Sequence, residues 1–400
     1  MNIIRLTTRI YPDKAGPARY AYLLPMHISD KEHNIFNITC KPKKVNENFK
    51  LINPHYRIYY LPIKTPSLGT DESFFGFGKF FVKFGLLASK KILEIHNKYG
   101  VDIIHCDNPS ITGIVAWMFN RVFKIPYIYT HHGLDSHFAL NTKIEMSVIY
   151  KNSAKHIIIS RQYRDFFEKS EVSTDKLVWI PNGVELNKFF HVNNDNEKHI
   201  LIKDLKIDSL INSGDFIIVY IAYMNKDLKT RGIIDFLHAL KRFLKSLTKS
   251  EQKTIKVLFL GDGKDKTLIK DEIYKLKLSE NAFLLGSRRG IEKFYAIADL
   301  CALTSHMEGF PTVLLEATAS KICCLSTDVG EVKSILDKRA LVPPKNREKI
   351  SKKLKELYEN KSLRKEIMEK SYRKIQQFDW SNIANQIKEL YEDILRNRDN

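Results

Sequence analysis

Short apolar runs rich in β-branched residues alternate with stretches of helical spacing along most of this chain. The runs of the first half are Ile3 to Leu6, Ile35 to Cys40, Arg57 to Leu61, Ile103 to Cys106, Tyr127 to Thr130, His156 to Ile159 and Leu177 to Ile180. Those of the second half are Phe216 to Ala222, Val257 to Leu260, Phe283 to Leu285, Leu300 to Leu303 and Ile322 to Leu325. Parallel strands need a crossover connection, which is usually a helix. The alternation therefore predicts an α/β fold with parallel sheets.

A polar, asparagine-rich stretch from Asn187 to Glu197 interrupts this alternation, which restarts afterwards. We therefore predict two Rossmann-like domains, over residues 1–186 and 187–379, joined by a linker. From about Ser381 to Arg396, apolar residues recur at helical spacing and no strand pattern follows. This tail predicts a C-terminal helix over about residues 380–400.

The length and composition of the chain are those of globular domains. Its 400 residues are 44% hydrophobic, enough for each domain to bury a core. Five cysteines lie in or beside apolar runs, without metal-ligand spacing or a disulfide framework, which favours a reducing compartment. Met1 leads directly into an apolar strand, and no apolar run approaches the length of a membrane span. We expect a cytoplasmic protein that is neither secreted nor integral to a membrane.

The formal net charge of +19 implies an anionic partner, which could be lipid headgroups, nucleic acid or a phosphorylated substrate. A lysine-rich composition that serves only solubility would give the same number. We find no recognisable nucleic-acid-binding motif and no zinc-finger spacing, so nucleic acid is not an expected partner.

Two carboxylates, Glu308 and Glu316, bracket a Gly-Phe-Pro turn that follows the run Leu300 to Leu303. Pro311 favours the first turn of a helix, and Gly309 lets the backbone approach a ligand closely. The free N–H groups at such a helix start suit a phosphate, and carboxylates beside them suit sugar hydroxyls. An isolated pair at this spacing would ordinarily be a surface loop charge and a solvated helix residue. Its position after a strand, where open α/β sheets bind ligands, indicates a nucleotide-sugar site.

The segment containing these carboxylates resembles the signature of the retaining glycosyltransferases of family 4, S-x-x-E-G-F-P-x-x-x-L-E-A-x-A. Ser305, Glu308 to Pro311, and Leu315 to Ala317 match that signature in register. The resemblance extends over nearly the whole chain and implies the GT-B fold, with two Rossmann-like domains facing across a cleft. It also implies that the C-terminal helix returns to the N-terminal domain.

The resemblance further implies which residues hold the donor. Gly286 and Ser287 would lie near the nucleotide base, Glu316 would bind ribose hydroxyls, and Glu308 would contact the transferred sugar. The other predicted donor-binding residues belong to the turn and the helix start: Gly309, Phe310, Pro311, Thr312 and Val313. The turn Gly261-Asp262-Gly263 matches the family as well, although a lone G-x-G is more often a tight turn than a phosphate loop. We expect a UDP-, GDP- or ADP-sugar donor, no metal site and no further cofactor.

In the first half, Gly16 matches a glycine-bearing loop whose backbone approaches the donor phosphates in the family, which often has a second glycine where this chain has Pro17. A single glycine in such a loop can also be purely structural. His132 matches a histidine that precedes glycine and would orient the sugar or the acceptor. The alternative is that His132 is a packed loop histidine. We expect a structural role for His131. The Pro181-Asn182-Gly183 segment matches a family segment that we interpret as structural, near the hinge.

The cations that grip the leaving diphosphate depart from the family pattern of an arginine followed by lysine-glycine. Tyr223 occupies the arginine position, and Arg231-Gly232 replaces lysine-glycine after a longer loop. Departure of a diphosphate needs neutralisation of its charge. We therefore predict Arg231 as the principal cation and Lys226 as the second. If neither reaches the phosphates, the chain is a poor catalyst or a protein that only binds the donor.

The segment Ser73 to Leu93 interleaves aromatic residues with lysines. An aromatic and basic amphipathic helix can lie on an anionic membrane, but the same density of apolar residues suits a helix buried against the sheet. Because relatives with lipid-linked acceptors often dock through the N-terminal domain, the resemblance favours peripheral association with the inner face of the cell membrane.

Together these observations predict a retaining hexosyl- or N-acetylhexosaminyltransferase. The enzyme would move a sugar from a nucleotide-sugar donor to a hydroxyl of a glycan or lipid-linked acceptor, in the synthesis of a surface polysaccharide such as lipopolysaccharide or capsule, or of a glycolipid. The alternatives are a GT-B nucleotide-sugar epimerase or phosphorylase, and a catalytically silent partner that binds sugar nucleotides. The sugar, the base, the acceptor, the linkage and the oligomeric state remain open at this stage.

Overall fold

A computed structural model describes residues 1–13, 16–64, 74–107, 111–133, 149–169, 172–192, 194–225 and 227–398. The chain divides into two compact units. Unit 1 comprises Met1–Gly183 together with Trp380–Asn400, and unit 2 comprises Val184–Asp379. The chain passes between the units after Gly183, whereas the sequence predicts that boundary after residue 186.

Unit 1 is built on an eight-stranded sheet in the order β3-β4-β2-β1-β5-β6-β7-β8. All neighbouring strands are parallel except β3 and β4, which are antiparallel. The strands are β1 (Asn2–Leu6), β2 (Asn34–Lys41), β3 (Phe49–Asn53), β4 (Tyr56–Lys64), β5 (Ile103–Asp107), β6 (Tyr127–His131), β7 (Lys155–Ile158) and β8 (Leu177–Trp179). Consecutive β1 and β2 lie side by side, and β5 returns to the other edge of β1, so the winding reverses between β1 and β5.

The described helices of unit 1 are α1 (Gly16–Ile28), α2 (Phe74–Tyr99), α3 (Ile111–Phe123) and α4 (Arg164–Glu168), followed at the end of the chain by α14 (Trp380–Arg396). The apolar face of α14 is buried, as its spacing predicts, and it packs against α1 of unit 1, as the family resemblance implies. Lys388 of α14 also forms an ion pair of 2.6 Å with Asp30.

Unit 2 has a six-stranded parallel sheet in the order β11-β10-β9-β12-β13-β14. Its strands are β9 (Phe216–Ile221), β10 (Ile255–Leu260), β11 (Ala282–Gly286), β12 (Leu300–Leu303), β13 (Cys323–Thr327) and β14 (Leu341–Val342). Its helices are α5 (Asp195–Asp204), α6 (Asp227–Leu244), α7 (Lys249–Thr254), α8 (Lys266–Lys275), α9 (Ile291–Ala296), α10 (Thr312–Ala319), α11 (Val332–Ile335), α12 (Arg347–Glu359) and α13 (Lys361–Ile375). This strand order is that of a Rossmann sheet, with its topological switch point between β9 and β12.

The predicted α/β class with two parallel sheets is confirmed, and each predicted strand corresponds to an observed one within a few residues. The short edge strands β3 and β14 were not predicted. Within the predicted linker Asn187 to Glu197 lies the start of α5, which Asn194 caps by accepting a 2.8 Å hydrogen bond from the Glu197 N–H. Asparagine favours this capping position as strongly as it favours loops.

All five cysteines are buried and free. Among the described residues, no helix combines the length and the apolar character needed to cross a membrane.

Candidate functional site

The loop between β12 and α10 carries Glu308, and its geometry places that carboxylate beside α6. The side chain of Glu308 is only 8% exposed, and its Oε2 lies 3.2 Å from Nζ of Lys229, in the first turn of α6. Pro311 takes the N-cap position of α10 with ψ of 102°, one residue before the first helical turn in which the sequence predicts it. Thr312 and Val313 then open the helix. The loop therefore presents a carboxylate, a cation and a helix start within one short segment.

Close backbone contacts fix the conformation of this loop. Gly330 has φ of +55°, and a β-carbon there would lie 2.2 Å from the carbonyl oxygen of Glu308 and 2.6 Å from that of Gly309. The next N–H, of Glu331, donates a 2.9 Å hydrogen bond to the Gly309 carbonyl. The Glu331 carboxylate accepts in turn from Ser334 at 2.8 Å. The turn after β13 therefore packs directly against the backbone of Glu308 and Gly309.

Helix α6 is held against the same loop through Gly232. A β-carbon on Gly232 would lie 2.4 Å from the carbonyl oxygen of Thr304, and the Thr304 hydroxyl donates a 2.7 Å hydrogen bond to the Gly232 carbonyl. This close approach brings the first turn of α6, with Lys229, to Glu308. The glycine of the Arg231-Gly232 pair is therefore explained by this packing, independently of the role of Arg231.

Glu316 lies within α10 and is buried. Its Oε2 is 3.3 Å from the hydroxyl of Tyr295, which also lies 3.1 Å from the carbonyl oxygen of Val313. Tyr295 therefore links the side chain of Glu316 to the first turn of its own helix. Phe310, also buried, packs edge-to-face against Phe378 at 5.2 Å, so its ring contributes to the core of unit 2.

Of the two predicted cations, only Arg231 is among the described residues. Arg231 lies on α6 with an exposed side chain, and Lys226 lies outside the described residues. Lys229 is the cation that the structure brings to Glu308. Tyr223, at the family's arginine position, is 37% exposed and accepts a 3.2 Å hydrogen bond from the Asn225 amide.

The glycines after β10 and β11 serve backbone packing. A β-carbon on Gly261 would lie 1.8 Å from the carbonyl oxygen of Ala222, and one on Gly263 would lie 2.2 Å from that of Met224. The Gly-Asp-Gly turn therefore rests on the loop after β9. Gly286 adopts φ of +71°, with Nζ of Lys266 at 3.4 Å from its β-carbon position, and Ser287 after it is exposed.

In unit 1, Gly16 is the first residue of α1 and is exposed, and no atom among the described residues lies within 4 Å of its β-carbon position. Packing within the described part of the chain therefore does not demand a glycine there. Gly183 differs, since its β-carbon would lie 2.4 Å from the ring of Trp380.

His132 follows β6 and lies next to Asp107, which ends the neighbouring strand β5. Its Nε2 is 3.3 Å from Oδ1 of Asp107, and its ring meets that of Tyr20 edge-on at 4.6 Å. The adjacent His131 is buried, with Nε2 3.1 Å from Nδ1 of His156. His131 is therefore part of the core, whereas His132 lies at the carboxyl end of the sheet, near its switch point.

Sequence reasoning missed Lys229, Tyr295, Gly330 and Asp107. Asp107 had a signal, because it directly follows a predicted strand, Ile103 to Cys106, beside the one that leads to His132. The other three become visible only when α6, α9 and the turn after β13 are folded against the loop of Glu308. Among the described residues, no group of three or more His, Cys, Asp or Glu side chains could hold a metal ion.

Comparison with known families decides the affiliation of the chain. Residues 202–374 match the family described as Glycosyl transferases group 1, and residues 16–188 match Glycosyltransferase Family 4. The chain belongs to glycosyltransferase family 4. The two matches fall on unit 2 and unit 1 respectively.

A curated relative and several solved structures align over almost the full chain. N-acetyl-alpha-D-glucosaminyl L-malate synthase of Bacillus anthracis is 20% identical over 411 residues, covering 99% of both chains. Sucrose-phosphate synthase from Thermosynechococcus elongatus has a TM-score of 0.80 at 18% identity, covering 99% of this chain and 100% of its own. Anabaena HepE in complex with UDP and glucose has a TM-score of 0.72 at 16% identity, covering 98% and 100%. These structures confirm the predicted GT-B fold.

Proposed function

We propose that this family 4 glycosyltransferase moves a sugar from a nucleoside-diphosphate donor to a hydroxyl of a glycan or lipid-linked acceptor, with retention of the anomeric configuration. The observation that carries the proposal is the Glu308 loop at the switch point between β9 and β12. There a buried carboxylate, its lysine partner and the start of α10 converge. Ligands of open α/β sheets bind at this point.

Each group in unit 2 has a role that follows from its chemistry. Glu316 would accept hydrogen bonds from the ribose hydroxyls, and Glu308 from hydroxyls of the transferred sugar. The N–H groups at the start of α10 carry partial positive charge and would bind the diphosphate, together with Lys229 and Arg231. These donors would neutralise the charge that develops on the leaving diphosphate without a metal ion.

We infer the base of the donor from the relatives. The Anabaena structure holds UDP, and the Bacillus anthracis relative is named for N-acetylglucosaminyl chemistry. We therefore place UDP-sugars first, with a hexose or an N-acetylhexosamine as the transferred group. Gly286 and Ser287, at the end of β11, would lie beside the base.

A thermal-shift experiment tests the donor site. The purified protein would be heated with UDP-glucose, UDP-N-acetylglucosamine, GDP-mannose or ADP-glucose, and compared with Glu316→Gln and with the surface control Glu280→Gln. We expect one base to raise the Tm of the wild type and of Glu280→Gln, and to lose most of this effect in Glu316→Gln. An absence of any shift in the wild type would contradict the donor assignment. For a donor that binds, NMR of the product anomer decides between retention and inversion.

A silent sugar-nucleotide-binding protein is the second candidate, and it is favoured by the exposed Tyr223 at the usual arginine position. A donor that raises the Tm but is neither transferred nor hydrolysed across a panel of acceptors would support this candidate. Turnover would exclude it.

We further propose that unit 1 associates with an anionic membrane through a surface formed by α2 and α3, which we call the α2–α3 face. One side of α2 is buried through Phe84, Ala88, Ile92 and Ile95. For that side, the alternative interpretation of a helix packed against the sheet holds. Position 73 lies outside the described residues, as do the side chains of residues 74–77. The opposite side leaves apolar residues of both helices exposed: Val82 at 65%, Leu86 at 69%, Met118 at 48% and Val122 at 70%.

Packing between the two helices and the surrounding cations supports this surface. The β-carbon position of Gly85 lies 3.6 Å from Ile111, and the rings of His96 and Phe123 are 5.0 Å apart, so α2 and α3 run side by side. The exposed cations of these helices and the residue after them are Lys79, Lys83, Lys90, Lys98, Arg121 and Lys124. Exposed apolar residues ringed by lysines suit an anionic lipid surface, which would also bring the enzyme to a lipid-linked acceptor.

A further inference from the structure

A chain of buried polar side chains crosses the centre of the unit 1 sheet and ends at His132. Arg5 of β1 and Asp107 of β5 are both fully buried and form an ion pair through Nη2 and Oδ2. The second carboxylate oxygen of Asp107, Oδ1, lies 3.3 Å from Nε2 of His132. Burying such a pair is costly, and apolar side chains of similar volume commonly stabilise a core equally well. A role other than stability is therefore the better explanation for these charges.

The partners of each group determine where its protons lie. Burial alone would raise the pKa of Asp107, but the charge of Arg5 and the hydrogen bond from His132 outweigh it and lower the pKa to about 2. The carboxylate is thus ionised at neutral pH and can only accept hydrogen bonds. Nε2 of His132 must carry the proton of this contact. In the neutral imidazole, Nδ1 would then keep a lone pair, and no described residue forms a hydrogen bond with it.

A second histidine completes the network on the other side of Arg5. Nδ1 of His105 contacts Nη1 of Arg5 and lies 2.6 Å from the hydroxyl of Tyr391, while its Nε2 lies 2.7 Å from the Thr130 hydroxyl. Burial, followed by the charge of Arg5, holds the pKa of His105 well below its usual range. His105 is therefore neutral, and Asp107 is the anion that balances Arg5.

We propose that Asp107 is a positioning residue for His132. Its carboxylate fixes the imidazole in the Nε2–H tautomer and turns Nδ1 into an acceptor for a hydroxyl of the acceptor substrate. The substrate part of this proposal rests on the proposed function, whereas the tautomer is a property of the chain alone. Arg5 contributes by keeping the carboxylate ionised and oriented.

Long-range proton–nitrogen NMR spectra of the full-length protein, with ¹⁵N-labelled histidines, test the proposal at neutral pH. The signals missing from the spectrum of His132→Gln identify His132. We expect a single Nε2–H tautomer in the wild type, with slow exchange of that proton because it is held by a buried carboxylate. An Nδ1–H tautomer or a rapidly exchanging Nε2–H proton in the wild type would overturn the proposal, without need of any further variant.

The variant Asp107→Asn sharpens the test. Arg5 can only donate, so the amide oxygen would turn to Arg5 and the amide NH₂ would face Nε2 of His132. We expect the tautomer to invert to Nδ1–H in this variant but not in the surface control Asp175→Asn. An unchanged tautomer in a folded Asp107→Asn protein would overturn the proposal.

Kinetics and donor binding separate this proposal from the proposed function. For a donor that binds, kcat of Asp107→Asn should fall about 100-fold, the loss expected when a positioning group is misplaced by about 1 Å, while KM for the donor changes less than about twofold. The donor-induced rise in Tm should persist, because it arises in unit 2. If the wild type binds no donor, the proposed function fails, and the NMR spectra still decide the role of Asp107.

Discussion

The carbonyl oxygen of Glu308 lies 2.2 Å from the position that a β-carbon on Gly330 would take. Only glycine fits this site, and its φ of +55° is also unfavourable for other residues. The turn after β13 and the Glu308 loop are therefore built against each other at the level of the backbone.

Gly330→Ala should destabilise unit 2 and displace Glu308. The left-handed backbone alone costs about 1–3 kcal/mol when a side chain is present, and the contact with the Glu308 carbonyl adds to it. Urea denaturation should show the loss of stability, and donor-induced Tm shifts should shrink. Gly214→Ala, whose added methyl would meet no atom within 4 Å, is the matched control in the same unit. Equal stabilities of the two variants would contradict the prediction.

Gly232→Ala and Gly78→Ala should have effects of opposite sign, although both positions are helical. Alanine is favoured over glycine in a helix by about 1 kcal/mol, which should stabilise Gly78→Ala because its methyl enters open space. At Gly232 the methyl would lie 2.4 Å from the Thr304 carbonyl oxygen, and overpacking of about 1–3 kcal/mol or more outweighs that gain. Urea midpoints measure both. A stabilised Gly232→Ala protein would show that α6 can move away from the loop.

Lys229→Met should weaken binding of the nucleoside diphosphate. The substitution removes a cation 3.2 Å from Glu308 and leaves a carboxylate that repels the phosphates. Because Lys229 is partly exposed, we expect a loss of about threefold to tenfold in affinity by calorimetry, with much of the affinity retained in Lys229→Arg. Lys270→Met, on the exposed surface of α8, should bind as the wild type does. If Lys229→Met keeps full affinity, Arg231 and the start of α10 bind the phosphates without Lys229.

Unit 1 should lose stability as the pH falls from about 6.5 towards 4. Burial lowers the pKa of His156 from 6.5 to about 4, so the unfolded chain binds a proton in this window that the folded chain excludes. The contribution of His156 to the free energy of unfolding is therefore fully present above 6.5, its pKa in the unfolded chain, and is lost as the pH falls below that value. The difference between urea midpoints at pH 7 and pH 5 should be smaller in His156→Phe, which cannot titrate. An unchanged difference would assign the acid sensitivity to other groups, such as the buried His105.

Leu86→Glu and Val122→Glu should reduce binding to phosphatidylglycerol vesicles and leave the weak binding to phosphatidylcholine unchanged. Each places an anion on the exposed α2–α3 face, where a lysine contributes about 1 kcal/mol near an anionic surface. Co-sedimentation with vesicles measures the effect, which added salt should diminish in the wild type. Leu268→Glu, at a 51% exposed site of unit 2, is the control. If Leu86→Glu and Val122→Glu both bind vesicles as the wild type does, the α2–α3 face is not the membrane contact.

The sequence was sufficient for the α/β class, the two sheets, the terminal helix and the placement of Glu308 at a strand end, because each depends on local periodicity or on a short motif. The asparagine-rich stretch did not reveal the start of α5, because an asparagine such as Asn194 caps helices as readily as it occurs in loops. Lys229 could not be singled out from its neighbours, because its approach to Glu308 depends on Gly232 packing against Thr304.

The helix α14 places the last part of unit 1 after the whole of unit 2 in the chain. Tyr391, whose hydroxyl lies 2.6 Å from His105, therefore leaves the ribosome only when unit 2 has already been synthesised. Domains generally fold in order of their emergence. Here the order is reversed for completion: unit 2 can close first, while α1 and His105 lack their packing partner until α14 has been made. Chaperone dependence during translation should accordingly concentrate on the first half of the protein.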